Sequence, residues 1–589
     1  MKDVTQSYKN ITKTATTLRN ISSIIEVHIT EDAGEYTYDV SDSFIGGLFS
    51  QIFDQRAGDV EWASLERGRF KLDGSMAVPG YSKKYKYGLI STYLSDEEGK
   101  INFDITIKFD KPHICNGITL EFAEPVKSIV IKTDNLTYTS EDMAKSYYIE
   151  DKKEFSTLII QIKEIEPYRR VRLNNIYLGT ILKIDDNRIY SMDIIDEIDL
   201  KNEMLPSGEL DFEISDENKE FNLLNQNGIY KYLKEKQLII PYVGVNINGI
   251  TEYAQMGKYY LKECTSGNKQ ATFTAYDIIE WWDNEQFRES VIGTTTLYDM
   301  LDKFLSGYEH EIDTELSEIQ VNSYIPICTK REAFRLMLEA GNCLYRIEPT
   351  GKIVVNKHKK LINRNRYINY AGQQYLGTFY TEIESKTLNN TILADNILDE
   401  YPTILQESQY ASCNINVYRY AEDTDTITLF SCKVCIENGI YKNGKYVVWV
   451  QYNTEIATQI SVNISEYDAY AQGCYVYLTE DTNIVIKGKK VELSKTEVKV
   501  KKYNYDNEYS IDNFLVNSDA LAKNIADYIL DGYDINVEFD YRCFPYLDSG
   551  DEIVVETDFG EQTFYLKKHQ ISYDGSLSAS VEGVGRFYE

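Results

Sequence analysis

Between Ile101 and Phe109 the chain alternates without a break: Ile101, Phe103, Ile105, Ile107 and Phe109 are apolar, and Asn102, Asp104, Thr106 and Lys108 stand between them. Successive side chains of a strand point to opposite faces, so this stretch predicts a half-buried strand. Shorter apolar runs at 118–122, 128–132 and 156–162 are each long enough to cross one sheet, and residues 24–29 read as an earlier strand. Short strands punctuated by turns from Phe44 to Leu173 predict a β-sandwich. Further on, a turn at Pro206, Ser207 and Gly208 feeds a strand with Leu210, Phe212 and Ile214 on one face. Residues 253–261 and 271–277, separated by Ser266, Gly267 and Asn268, predict a hairpin. Near the far end, residues 541–555, 563–567 and a turn at Asp574 and Gly575 repeat the same strand-and-turn grammar.

Helical spacing interrupts this pattern three times. Leu297, Met300, Leu301 and Phe304 follow a threonine cap. Thr329 caps residues 330–340 with Glu332 as its capping-box partner, and Gly341 is the expected stop. Ser518 opens the third helix, in which Ala520, Leu521, Asn524, Ile525, Tyr528 and Ile529 form a stripe that runs to Gly532. That stripe is expected to pack on the last barrel. Between the second and third helices, 426–430, 446–450 and 475–478 return to strand.

At 589 residues the chain is too long for one core, and about 150 residues per domain suggests about four. Its 43% hydrophobic and 26% charged content, with only 10 Pro and 33 Gly, is globular and leaves no long flexible linker. Lys and Arg total 62 against 93 Asp and Glu, and the formal charge of −31 opposes binding to a phosphate backbone. The 49 tyrosines accompany abundant Ile, Asn and Lys, which reads as the coding bias of an AT-rich genome. Residues 1–7 lack the apolar core of a signal peptide, and no run reaches the ~18 apolar residues of a membrane span, so a cytoplasmic origin is expected. Nine cysteines scattered from Cys115 to Cys543 do not make a disulfide framework.

No motif forces a chemistry. The sequence contains no HExxH, no phosphate loop of the GxxxxGK[ST] type, no GxSxG and no EF-hand loop. Its single CxxC, Cys432 to Cys435, has no second pair to complete a zinc site and reads as strand. The histidines at 28, 113, 310, 358 and 569 are too far apart in sequence to imply a shared metal, and His310 beside Glu311 reads as a surface neighbour. Paired carboxylates cannot be told from background among 93 acids. Arg169, Arg170 and Arg172 read as a solvated strand face or as partners of acidic neighbours, and Trp62 with the loop 80–87 reads as core or as a setting for stacking on a sugar. No catalytic, cofactor-binding or metal-binding residue is therefore assigned, and no cofactor is expected.

The turns and strand order of 190–277 and 534–585 resemble the hub proteins of phage tails and related contractile injection machines, over residues 176–585. Residues 70–75, 94–99, 109–114 and 117–122 resemble a module of tail proteins in Gram-positive phages, similar in layout to galactose-binding-like sandwiches. The resemblance implies a mainly β, multidomain chain: 1–43 an N-terminal extension, 44–175 the sandwich, 176–285 a first hub barrel domain, 286–365 a small α+β insert, and 366–589 a second hub barrel domain carrying a helix at 518–531. It implies a homotrimer without enzymatic activity that joins the tail tube to the tip and opens for ejection. Its partners would be the tail tube protein, distal tail or baseplate proteins and the tape measure protein, in a virion or a bacteriocin-like particle assembled in the bacterial cytoplasm. Two other readings compete. One is a tail-tip adhesin that binds cell-wall carbohydrate through the sandwich; the other is a peptidoglycan hydrolase, against which counts strand-rich sequence running to Glu589 with no appended lytic domain.

Overall fold

The computed structural model describes residues 1–13, 21–31, 33–41, 44–46, 66, 89–151, 153–358, 367–368, 374–375, 390–398, 401–442, 444–453, 456–558 and 560–586. The architecture is mainly β in several sheets. The alternating stretch lies in the strand Lys100–His113, where Phe103, Ile105 and Ile107 are fully buried. It pairs with Tyr36–Val40 on one side and Phe155–Ile165 on the other. The neighbouring strand Ile118–Thr133 serves two sheets. Its first half pairs with Ala144–Ile149 and Arg172–Asp185, and its second with Thr137–Ser140 and Phe155–Ile165. The change of partners falls at Val126, after Pro125, whose missing N–H interrupts a ladder. Both sheets bury their side chains in one cluster that includes Leu120, Ile129, Leu158, Ile160 and Ile176. Trp62, residues 70–75 and residues 80–87 lie outside the described residues.

Of the two readings of the arginine run, pairing with acid is the one that Arg172 takes. Arg172 is buried in an ion pair with buried Glu66, and the Arg170 guanidinium donates to the Ser91 carbonyl at 2.9 Å. A buried guanidinium needs a carboxylate or carbonyl beside it, and sequence spacing does not reveal partners about 80 to 106 residues away.

The boundary drawn at 175/176 falls inside a strand. Arg172–Asp185 pairs with the sandwich up to Leu178, and from Leu178 to Asp185 it pairs with Ile21–Glu31. At the crossing stands Gly179, with φ +143° and space for no Cβ, since one would lie 2.1 Å from the Ile29 carbonyl oxygen. Thr119 Oγ1 donates to the Gly179 carbonyl at 2.8 Å and ties the two sheets together there.

Beyond this crossing the sheet runs through Ile21–Glu31, Leu238–Ile247, Tyr259–Ser266, Gln270–Tyr276, Glu209–Ser215 and Ile189–Glu197. The hairpin about Gly267 forms, with Lys269 at φ +70° in its turn. Among the described residues no barrel closes. The edge of Ile189–Glu197 that would close one is taken by Gly560–Tyr573, from Met192 opposite Tyr573 to Glu197 opposite Lys568. The sheet therefore continues through Leu577–Gly585 and Ile535–Tyr541 to Thr403–Gln406. A single core lies behind both pieces and includes Ile25, Phe212, Phe273, Phe539, Phe544 and Ile571.

The insert packs Leu297–Phe304 and Lys330–Gly341 around Trp282, Phe304 and Phe334. Thr296 and Thr329 accept from the backbone N–H of Asp299 and Glu332, as caps should. The second helix ends one residue later than expected: Gly341 is its last residue, and Asn342 takes the left-handed position at φ 51°, which asparagine tolerates. The helix Asp519–Leu530, capped by Ser518, packs within the 366–589 region. Its Ala522, Ile525, Ala526 and Ile529 face Cys413, Ile415 and Val417 of Ser412–Val434. That strand forms a long ribbon with Thr482–Lys501. The ribbon ends in a small two-sheet unit built on Val448, Val450, Val476 and Ile486. This unit rests on the insert, with Ala471 N donating to Ser290 O and Ile327 N to Gln472 Oε1, each at 2.7 Å.

Candidate functional site

The feature to which distant parts of the chain converge is the joint between Ile189–Glu197 and Gly560–Tyr573. Side chains reinforce its backbone ladder. Tyr573 OH donates to Asp186 Oδ1 at 2.7 Å, and Ile198 N donates to Lys567 O at 2.9 Å. Asp196 accepts from Ser549 N at 2.8 Å. Each bond crosses from one piece to the other.

Residues 1–13 strap this joint. Lys2 N donates to Tyr546 O at 2.7 Å, and Lys2 Nζ donates to Leu547 O at 3.1 Å and pairs with the Asp548 carboxylate. The strap then reaches the first piece: Thr5 N donates to Glu252 Oε1 at 2.8 Å, and Tyr8, in the helix Gln6–Lys13, donates its hydroxyl proton to Val243 O at 3.0 Å. It ends where Asn396 Nδ2 donates to Lys13 O at 3.0 Å.

Electrostatics explain why the polar groups at this joint are paired. Burial and then the neighbouring Asp548 push the Asp196 carboxyl up. Burial opposes the charge of Asp548 as well, but Lys2 and the Met1 ammonium, 3.2 Å away, outweigh it and hold that carboxyl below its ordinary range. Pairing with Asp548 raises Lys2 against its own burial. Asp277 is pushed up to about 7 by burial, although it accepts from Gly208 N at 2.7 Å and Ile279 N at 2.8 Å.

His569 is 1% exposed, with Tyr541 OH 2.9 Å from Nε2 and the Leu547 carbonyl 3.3 Å from Nδ1. These partners suit a neutral ring that accepts at Nε2 and donates at Nδ1. Burial, followed by the Lys2 charge, lowers its pKa to about 3. An unfolded histidine takes up its proton near pH 6.5, so between that value and about 3 the unfolded state binds more protons and acid destabilises the fold. His569→Gln keeps one acceptor and one donor without titrating. Thermal melts from pH 7 to pH 4 are expected to fall more gently for the variant, the wild type losing up to about 1.4 kcal/mol per pH unit from this group. Parallel curves would remove His569 from the acid limb.

The other histidines are dispersed. His28 lies 3.7 Å from Glu26, His113 Nε2 lies 3.1 Å from the Ala33 carbonyl, and His358 Nε2 lies 2.8 Å from Tyr533 OH. His310 does more than sit beside Glu311, with Asp302 at 3.0 Å and the Tyr308 carbonyl at 2.9 Å. Among the described residues no group of three or more His, Cys, Asp or Glu is placed to hold a metal ion. All nine cysteines are free; Cys432 is exposed on the ribbon and Cys435 half-buried just beyond it. The arrangement at the joint fastens two sheets together.

Sequence reading missed Lys2, Tyr8 and Asp196, because a lone lysine or tyrosine in a polar N-terminal stretch carries no period. The turn at Asp548, Ser549 and Gly550 was legible, and the lysine that fills it was not.

No family model matches this chain, and neither does any curated protein. Solved structures to which it is similar include phage tail and baseplate proteins. The 43 kDa tail protein of prophage MuSo2 from Shewanella oneidensis is 11% identical, with 78% of this chain and 97% of that one covered and a TM-score of 0.34. A tail protein from Neisseria meningitidis MC58 is 10% identical, with 69% and 94% covered and a TM-score of 0.36. The prophage tail protein gp18 from Listeria monocytogenes EGD-e is 8% identical, with 68% and 91% covered and a TM-score of 0.33.

Proposed function

We propose that this chain is the structural hub of a phage tail or phage-tail-like particle, a homotrimer that joins the tail tube to the tip and opens for ejection. The observation that carries this reading is the joint: two strand-rich pieces from distant parts of the chain share one core and one hydrogen-bonded sheet, Met192 to Glu197 against Tyr573 to Lys568. A connector between a sixfold tube and a threefold tip needs two docking surfaces per subunit held in fixed relation. A continuous sheet strapped by residues 1–13 supplies that rigidity. Its work is mechanical, and the partners are the tail tube protein, distal tail or baseplate proteins and the tape measure protein. The sandwich decorates this body, and in the division at 43, 175, 285 and 365 the strand Arg172–Asp185 carries it across 175 into the hub sheet. The acidic surface keeps DNA from adhering as it passes.

Light scattering of the purified chain over a concentration series is expected to show a species of three times 68.1 kDa. A monomer at every concentration, with and without tube protein, would refute the hub.

A further inference from the structure

Two strand edges pair on one side only among the described residues, and their electrostatic surroundings differ. Thr403–Gln406 pairs only with Ile535–Tyr541 among the described residues, and all four of its residues are exposed. Ile404 and Leu405 are 41% and 47% exposed, and Leu398 nearby is 52% exposed. Natural edge strands are commonly blunted by a charge on the strand or a bulge, and this one has neither. The residues about it are acidic: 390–407 contain Asp395, Asp399, Glu400 and Glu407 and no Lys or Arg.

The second edge is Ile440–Lys442 at the far end of the ribbon, which pairs only with Lys445–Gln451 among the described residues. Ile440 is 78% exposed and Tyr441 64%. Lys442 lies on the same strand, opposite Lys445, which directly follows Gly444 and pairs with Glu466. The ribbon and its tip are also the part of the molecule that an acidic surface repels least. Residues 412–502 contain eleven Lys or Arg and eleven Asp or Glu, so the whole −31 resides elsewhere.

Two copies, each strongly acidic, repel at long range, and contact between them is favoured where an uncharged arm meets an acidic, apolar edge. We propose that Ile440–Lys442 of one copy adds to Thr403–Gln406 of a second copy, head to tail. Main-chain hydrogen bonds align the strands, Ile440 and Tyr441 cover Ile404 and Leu405, and Lys442 enters the acidic surroundings of Asp395. The two surfaces differ, so the contact is heterologous and builds a ring when the rotation closes. This inference rests on the hub reading, in which three copies close it.

The experiment measures the mass of the full-length chain by light scattering during dilution, for the wild type and for Leu405→Lys, Lys442→Glu and Lys442→Glu with Asp395→Lys. All three positions are exposed, so thermal melts of the variants are expected to match the wild type. Either single substitution is expected to raise the half-dissociation concentration at least about tenfold, and the charge-swapped double variant to recover most of the loss. Trimers that dissociate alike in all variants would leave the hub standing and overturn this edge pairing. A wild type that never associates would overturn both. Should Leu405→Lys melt early, the Lys442 pair decides alone.

Discussion

Tyr8→Ala is expected to lower stability by about 3–5 kcal/mol, the cost of emptying a fully buried aromatic site. Tyr8 has no exposed surface and lies in the core shared by the two pieces, on a helix of only eight residues. So short a helix is not stable by its own propensity and is held by this side chain. Burial drives the Tyr8 hydroxyl far above its ordinary range, which keeps it a neutral donor to Val243 O. Tyr8→Phe therefore separates two contributions. It keeps the ring and leaves the Val243 carbonyl one donor short, at about 1–3 kcal/mol. Denaturant titration gives the totals, and hydrogen exchange gives the location. The amides of Ile189–Glu197 and Gly560–Tyr573 are expected to lose protection in Tyr8→Ala, while those of Lys100–His113 keep theirs, because the sandwich has a separate core. A cost below about 1 kcal/mol, or equal loss in the sandwich, would show that residues 1–13 are not the strap of the joint.

Period and capping made much of the fold legible. Alternation at 101–109 gave the strand and its buried face, and Thr329 with Glu332 gave the helix start. Both signals are local, since each depends on neighbours within a few residues. Strand pairing is not: a period of two fixes which face is buried and does not fix the partner. Met192 opposite Tyr573 lies beyond any such signal, and so does the choice between closing a barrel and extending a sheet. The same limit explains the helix Asp519–Leu530, whose stripe was legible while the sheet beneath it was not. Buried charge is the least legible of all. Arg172 and Lys2 look solvated until Glu66 and Asp548 are brought to them by the fold.

Lys2→Met is the second large expectation, at about 3–5 kcal/mol, because it leaves a buried carboxylate without its main partner. The Lys2 and Asp548 side chains are 7% and 16% exposed, so water cannot replace the ammonium. The charge remaining on Asp548 would also face Asp196, a carboxyl that burial already pushes up. Lys2→Met combined with Asp548→Asn removes both charges and is expected to restore most of the loss, since exchanging a whole buried pair costs far less than breaking it. The pH dependence supplies an independent test. In the wild type the folded pKa of Asp548 lies below its unfolded value, so its contribution is complete above the unfolded value and is lost as pH falls through the folded one. Without Lys2 the Met1 ammonium remains beside Asp548 but burial counts for more, so the folded pKa rises above its wild-type position and the variant gains relative to the wild type as acid protonates it. The stability gap between wild type and Lys2→Met is therefore expected to be widest near pH 7 and to narrow toward pH 4. A gap that stays constant across that range would mean that Lys2 holds the joint through its side-chain contact to the Leu547 carbonyl and not through its pairing with Asp548.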